Sequence, residues 1–174
     1  MVAIKNFLLF AATAAALVIP RDVTTVLNSL KKLDTDTQAL TKATTSWDGG
    51  LESGVAIQNL FTAVDNDLKS ATKVASAEKV ASSADTKTIL AYVNATLSPD
   101  IKASLNALVA KKPAFVKAGL QGLVQSDLAT LSKDADALGA ALQKIASADQ
   151  QAAAKTAIDA IKAAIAAAVK AFAT

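Results

Sequence analysis

Val23, Val26, Leu30, Leu33, Thr37, Leu40, Thr44 and Trp47 recur at intervals of three and four residues in strict alternation. This spacing sets them in one line along a single side of an α-helix, with the slight left-handed drift of a bundle seam. A strand cannot use the pattern, because its side chains change face at every residue. The stripe runs for ~25 residues and has to be covered by other helices. Asp22 is a suitable N-cap in front of it. Asp48-Gly49-Gly50 ends it, since glycine accepts the left-handed conformation that closes a helix.

The rest of the chain supplies the partners. A second helix is predicted from about Leu51 to Ala77, with Ile57, Leu60/Phe61, Val64, Leu68, Ala71 and Val74 on its apolar line, followed by a turn within Ala75–Asp85. A third begins near Ser83 or Asp85 and carries Ile89, Leu90, Val93 and Leu97. Ser98-Pro99-Asp100 then reads as an N-cap, a first-turn proline and a first-turn acid, so this helix either kinks or restarts there, with Ile101, Leu105 and Leu108 continuing the face. Lys111-Lys112-Pro113 is the next expected break. A fourth helix carries Leu120, Val124, Leu128, Leu131, Ala135, Leu138, Leu142 and Ile145. Ser147-Ala148-Asp149 caps a fifth with Ile158, Ile161, Ile165, Val169 and Phe172, while Lys155, Asp159, Lys162 and Lys170 lie on an adjacent side. Alanine, the strongest helix former, makes up about a quarter of the residues, against 6 Gly and 3 Pro. The fold predicted is all-α, an antiparallel up-and-down bundle of about five long helices, with a break in the third at Ser98-Pro99 as one outcome. No internal repeat is visible.

The first residues have the marks of a secretory leader: Lys5, an apolar run from Phe7 to Ile19 broken by Thr13, and small residues around Ala16. The run falls short of the ~20 residues of a membrane span. Residues 1–16 are therefore expected to be a signal peptide and 17–174 a single domain of a secreted, extracellular or wall-associated monomer. The last helix carries too many charges for an anchor tail, so no integral membrane segment is expected.

Several chemistries are removed outright. There is no Cys and no His, which excludes Cys–His and Ser–His–Asp nucleophiles and His/Cys zinc sites. Glutamate is confined to Glu52 and Glu78, and nothing in the spacing of Lys or Asp suggests catalysis. No catalytic residue, metal or cofactor is expected. Lys+Arg number 18 and Asp+Glu 15; loss of Lys5 with the leader leaves 17 against 15, a net +2. Basic residues form only pairs, without interleaved aromatics, which argues against nucleic acid.

A few polar residues merit attention. Asn94-Ala95-Thr96 is an N-glycosylation sequon that a secretory route would make usable; the Ser and Thr of Thr41–Ser46 and Ser70–Thr88 are weaker candidates for O-linked sugar. Thr37 and Thr44 put hydroxyls on the first helix's seam, where they either meet a bound head group or bond back to the carbonyl four residues earlier. Gly119 and Gly122 fall inside the predicted fourth helix, each at a cost of ~1 kcal/mol, offset by close helix packing or by room for a ligand. Gln125 and Ser126 follow one turn on.

The run from Lys112 to Leu128, KPAFVKAGLQGLVQSDL, resembles the central segment of the fungal hydrophobic surface-binding protein A family, which includes antigenic cell-wall galactomannoproteins. The leader followed by Ile19-Pro20-Arg21-Asp22-Val23 and the order of helices are also similar. The resemblance implies a secreted or wall-associated protein without catalytic activity. It also implies adsorption to hydrophobic surfaces, recruitment of a polyester hydrolase, and, in the galactomannoprotein branch, a fatty acid held in a channel along the bundle. The Ser/Thr-rich stalks and anchor tails of some wall-bound members are not expected here, which puts covalent wall attachment in doubt. Physical argument agrees: helices of ~22–33 residues are ~33–50 Å long, and an alanine-rich interior leaves an apolar tunnel unless the helices close up tightly. Register and resemblance together place the tunnel between the second, third and fourth helices, lined by Phe61, Val64, Leu68, Val93, Leu97, Phe115, Gly119, Leu123 and Leu138. Ser126, Gln125 and Thr37 are the expected head-group contacts. The competing expectation is a filled core, with adsorption through apolar surface patches.

Overall fold

The computed structural model describes residues 23–173. The predicted leader and the N-cap Asp22 lie outside the described residues. The elements are α1 (Val23–Ser46), α2 (Leu51–Ser76), α3 (Ser83–Tyr92), a π-helical turn (Val93–Leu97), α4 (Ser98–Lys117), α5 (Gln121–Ile145), a 3-10 turn (Ala148–Gln150) and α6 (Gln151–Ala173). Because α3, the π turn and α4 are continuous, the described residues form five rods, and the chain runs up and down through them, as long helices joined by short turns predict.

The rods close into a ring. α1 packs on α2 and α4, α2 on α5, α5 on α6, and α6 on α4. A ring of five cannot alternate direction all the way round. α1/α2 and α5/α6 are antiparallel hairpins, whereas α2/α5, α1/α4 and α4/α6 run parallel. The cross-links record this. Gln58 and Lys69 of α2 meet Asp127 and Asp134 of α5 in the same order, and Asp34 and Gln38 of α1 meet Tyr92 of α3 and Asp100 of α4 in the same order. Rods adjacent in sequence but apart in the ring need links that cross the bundle's ends. Residues 77–82 cross one end, tied by the Ala81 N–H to the Ile145 carbonyl at 2.7 Å. Residues 118–120 cross the other.

The apolar lines found in the sequence face inward. Val26, Leu30, Leu33, Leu40 and Trp47 are buried, with Ile57, Phe61, Leu128, Ile145 and Phe172. One end is closed by aromatic rings: Trp47 stacks on Phe115 at 4.3 Å, and Phe115 meets Phe172 at 6.2 Å. Lysines and an amide cover the chain ends there. Lys111 donates to the Trp47 carbonyl at 2.6 Å, Lys112 to that of Ala171 at 2.7 Å, and Gln121 to that of Phe172 at 3.1 Å. Carbonyls at a helix C-terminus have no intrahelical donor, so these contacts satisfy groups that would otherwise be orphaned.

Of two expected breaks, one is found and one is not. The third rod is interrupted just before Pro99: α3 ends at Tyr92, a π turn intervenes, and α4 starts at Ser98. Pro99 has no N–H, and its ring would press on the carbonyl one turn back; the turn before it is widened, with the Ser98 N–H reaching the Val93 carbonyl. Pro113, by contrast, does not end its helix: α4 continues to Lys117. Pro113 is exposed and so is Val109 one turn earlier, so water can serve the carbonyl that proline leaves without a donor, while buried Leu108 and Phe115 hold the inner face. The stop comes at Gly119, with φ +72°. The Leu120 N–H donates to Phe115 and the Gly119 N–H to Val116, the paired bonds of a Schellman cap. Gly119 is therefore a cap, and Gly122 sits exposed in the first turn of α5; neither lies mid-helix as expected.

Candidate functional site: an apolar cavity inside the ring

Five rods around an axis leave a central space that their inward side chains do not fill completely here. The space that remains is a cavity of about 90 Å³. Every rod contributes: Leu33, Thr37 and Leu40 from α1; Val64 and Leu68 from α2; Val93, Leu97, Ile101, Ser104, Leu105 and Leu108 from the third rod; Leu131, Ala135, Leu138, Gly139 and Leu142 from α5; Ile158, Ile161, Lys162 and Ile165 from α6. A single water needs ~15 Å³ and several polar partners. The cavity exceeds that several-fold, yet its described polar side chains are only Thr37, Ser104 and Lys162. Such a space favours an apolar occupant over water. The α5–α6 wall is thin: a Cβ on Gly139 would come within 2.8 Å of Ile158 Cγ2, so glycine is what allows α6 to approach there.

The three polar groups differ in state. Thr37 donates to the Leu33 carbonyl at 2.7 Å, the back-bond that the seam spacing allowed. Ser104 is 4% exposed, and its Oγ has no hydrogen-bond partner. Lys162 lends its stem to the wall and pairs at 2.9 Å with Asp136 of α5, both side chains about half exposed; that pairing holds its pKa above the usual lysine value.

Acidic groups surround the cavity without lining it. On the α1 side of the third rod, the Tyr92 hydroxyl donates to Asp34 at 3.0 Å, and Gln38 donates to Asp34 at 3.1 Å and to Asp100 at 2.8 Å. Burial, with Asp100 nearby, pushes the Asp34 carboxyl up, and burial with that carboxylate pushes Tyr92 up to about 12. Between α2 and α5, Asp127 accepts from Gln58 at 3.1 Å, its second oxygen lacks a partner, and burial raises it. No cluster of three or more acidic residues suited to a metal occurs among the described residues.

Of the residues expected at a tunnel, Thr37, Val64, Leu68, Val93, Leu97 and Leu138 border the cavity. Phe61 and Phe115 are buried but belong elsewhere, Phe61 beside Asp65 and Asp127 in a small groove and Phe115 in the aromatic end plug. Gly119 is the α4 cap. Leu123 is 44% exposed, and Gln125 and Ser126 are exposed beside it. These three stand on the outer side of α5, because α5 starts at Gln121 after a crossing link and its inward line is Val124, Leu128 and Leu131. Asn94 is exposed on the π turn. Sequence reasoning missed the contributions of α6 and of Ile101, Ser104 and Leu105. Ile158, Ile161 and Ile165 carry a periodic apolar signal of their own, and Ser104 sits three residues after Ile101 on the same face, but neither spacing says which rods share the space.

No helix among the described residues is long and apolar enough to cross a membrane. No curated protein sequence matches the chain significantly. Solved structures do. AfMP4p in complex with palmitic acid superimposes with a TM-score of 0.83 at 36% identity, over 87% of this chain and 99% of that one. Ligand binding domain 2 of the Penicillium marneffei MP1 protein, complexed with multiple arachidonic acids, gives 0.83 at 18% identity over 87% and 96%, and domain 1 of that protein, complexed with arachidonic acids, 0.81 at 14% over 87% and 99%. These last two share the fold. The sequence profile of hydrophobic surface binding protein A matches residues 23–144, and the chain belongs to that family.

Proposed function

We propose that this protein is a non-catalytic carrier that holds the acyl chain of a long-chain fatty acid in the cavity inside its ring. The observation that carries the reading is the lining itself: an internal space of about 90 Å³ bordered almost wholly by Leu, Ile and Val from all five rods. Each methylene moved from water into such a space gains ~0.8 kcal/mol, and an extended chain can lie along an axis set by helices of 23 to 26 residues. The palmitic acid bound by AfMP4p, 36% identical over nearly its full length, supports the same reading. Holding a full chain requires the cavity to widen by outward shifts of the rods. Export fits this role: the apolar run Phe7–Ile19 with small residues around Ala16 supports a cleaved leader and a mature domain from residue 17, and exposed Asn94 is then open to glycosylation. Native mass spectrometry of the purified protein tests the reading. A bound species released on denaturation and identified as a fatty acid, or stoichiometric uptake of added palmitate, is expected; protein that stays ligand-free with excess palmitate overturns it.

A second reading has its own observation. Leu51, Val55, Val116 and Leu123 are 70%, 62%, 48% and 44% exposed, and all four stand at the end of the bundle where α2 and α5 begin and α4 finishes. Such a patch would adsorb to an apolar solid without any opening of the ring. Adsorption to polyester particles should fall when Leu51 and Val55 are both changed to Ser; undiminished adsorption would remove this end from the role.

A further inference from the structure

We propose that Lys162 is the counter-ion of the bound acid, exchanging its partner Asp136 for the ligand carboxylate, with Ser104 as a second donor. The proposal rests on the fatty-acid reading above and adds where the head group sits.

Among the described residues that border the cavity, Lys162 alone is charged. Its stem forms part of the wall next to Ile161, and its ammonium lies at the α5–α6 edge, 2.9 Å from Asp136. A long apolar stem with a hydrated head suits a side chain that must serve both an apolar lining and a wet mouth. Ser104 stands at the same height on the neighbouring rod. Residues joined across the third rod and the segment leading through α6 differ by 61 at one end (Thr86 with Ser147) and by 59 at the other (Lys112 with Ala171); Ser104 and Lys162 differ by 58. The Ser104 hydroxyl is buried and has no partner. A buried donor without a partner is costly unless something completes it, and a carboxylate at this level would do so. The geometry thus provides a cation and a free hydroxyl level with each other beside an apolar space, the combination an amphiphile's acid end requires.

The ammonium already has a partner, and Asp159 lies near it as well as Asp136. A ligand carboxylate must therefore compete. A half-exposed ion pair is individually weak and screened by salt, so exchange is cheap, and the pair would select acids over neutral lipids and orient them more than it would fix overall affinity.

The experiment compares palmitate and hexadecanol binding to the full chain at low and high salt, for the parent, Lys162→Met, Asp136→Asn and Ser104→Ala. Lys162→Met keeps the apolar stem and should weaken palmitate roughly three- to five-fold, the range of an exposed pair, with hexadecanol unchanged and the salt dependence lost. Asp136→Asn frees the ammonium and should tighten palmitate by a similar factor. Ser104→Ala should weaken palmitate more than hexadecanol. If Lys162→Met and Asp136→Asn alter thermal stability but leave the palmitate-to-hexadecanol ratio as in the parent, the pair is only a strut and the subsite is refuted while the cavity reading stands. If neither lipid binds the parent, both readings fall.

Discussion

Ala135 faces the cavity from the middle of α5 and is partly buried, so Ala135→Leu places three more carbons into the empty space. Two routes give the size of the effect on the ligand-free protein. An unfilled cavity costs ~24 cal/mol per Å³, and about 90 Å³ then corresponds to about 2 kcal/mol. Independently, burying three methylene-sized groups at ~0.8 kcal/mol each gives about 2.4 kcal/mol. Ordering a leucine side chain takes back ~0.5–1 kcal/mol. The net gain is about 1–2 kcal/mol, and at ~2–4 °C per kcal/mol for a domain of this size the melting temperature should rise by ~2–8 °C. The same carbons occupy the volume an acyl chain needs, so palmitate affinity should fall at least tenfold. Delipidated parent and variant would be compared by thermal unfolding followed by circular dichroism, and by displacement of a fluorescent fatty acid. The paired outcome is diagnostic, since most substitutions that weaken binding also weaken the fold. A variant that is less stable and binds as tightly as the parent would show that the cavity is not where the ligand sits.

Three further outcomes follow from the same geometry. Leu68→Trp should lower palmitate affinity at least tenfold, with a stability cost of ~1–3 kcal/mol from overpacking, whereas Leu123→Trp, on the outer side of α5, should bind as the parent does; equal behaviour of the two would refute the placement. Asp127 is raised by burial with Asp65 nearby, so the stability it contributes is present below the ordinary carboxylate range of ~3.9 and lost as pH rises through its folded value. Asp127→Asn should accordingly gain on the parent between acid and neutral pH in urea unfolding, and a pH-independent difference would remove burial as the cause. Gly119→Ala forces a side chain into φ +72° with open space around it, so it should cost ~1–2 kcal/mol of purely conformational origin, measurable as a lower denaturation midpoint at unchanged m-value.

The rods were legible because each carries its own periodic signal. The seam of α1, the glycine stop at Gly49-Gly50 and the cap at Ser82, whose hydroxyl accepts from the Asp85 N–H, are local physics. Which rods are neighbours is not local. A line of Leu and Val states that one side is covered and says nothing of what covers it, so the ring order could not be read. That is why Leu123 and Ser126 are among the expected ligand contacts and Ile158 and Ile161 are not. The two prolines behave differently. Pro99 marks a real interruption, the π turn before Ser98, whereas at Pro113 inner-face packing outweighs a lost hydrogen bond on a wet outer side and the helix continues. Ser104 shares a face with Ile101, but a serine on an apolar face is ordinary until it proves to be without a partner.

The crossing links at the ends of the ring bear on how a lipid held inside, as proposed, would be exchanged. A straight barrel could let an acyl chain slide out along its axis. Here one end is spanned by residues 77–82, tied to the Ile145 carbonyl, and the other by residues 118–120 above the Trp47–Phe115–Phe172 plug. Among the described residues both ends are thus covered, which leaves sideways passages between two rods, and the α5–α6 hairpin packs closely through Gly139 against Ile158. If a lipid is held inside, its residence time would follow how readily two rods part rather than how well it is gripped. A molecule built this way would keep its cargo through dilution and surrender it on meeting a surface that pries two rods apart.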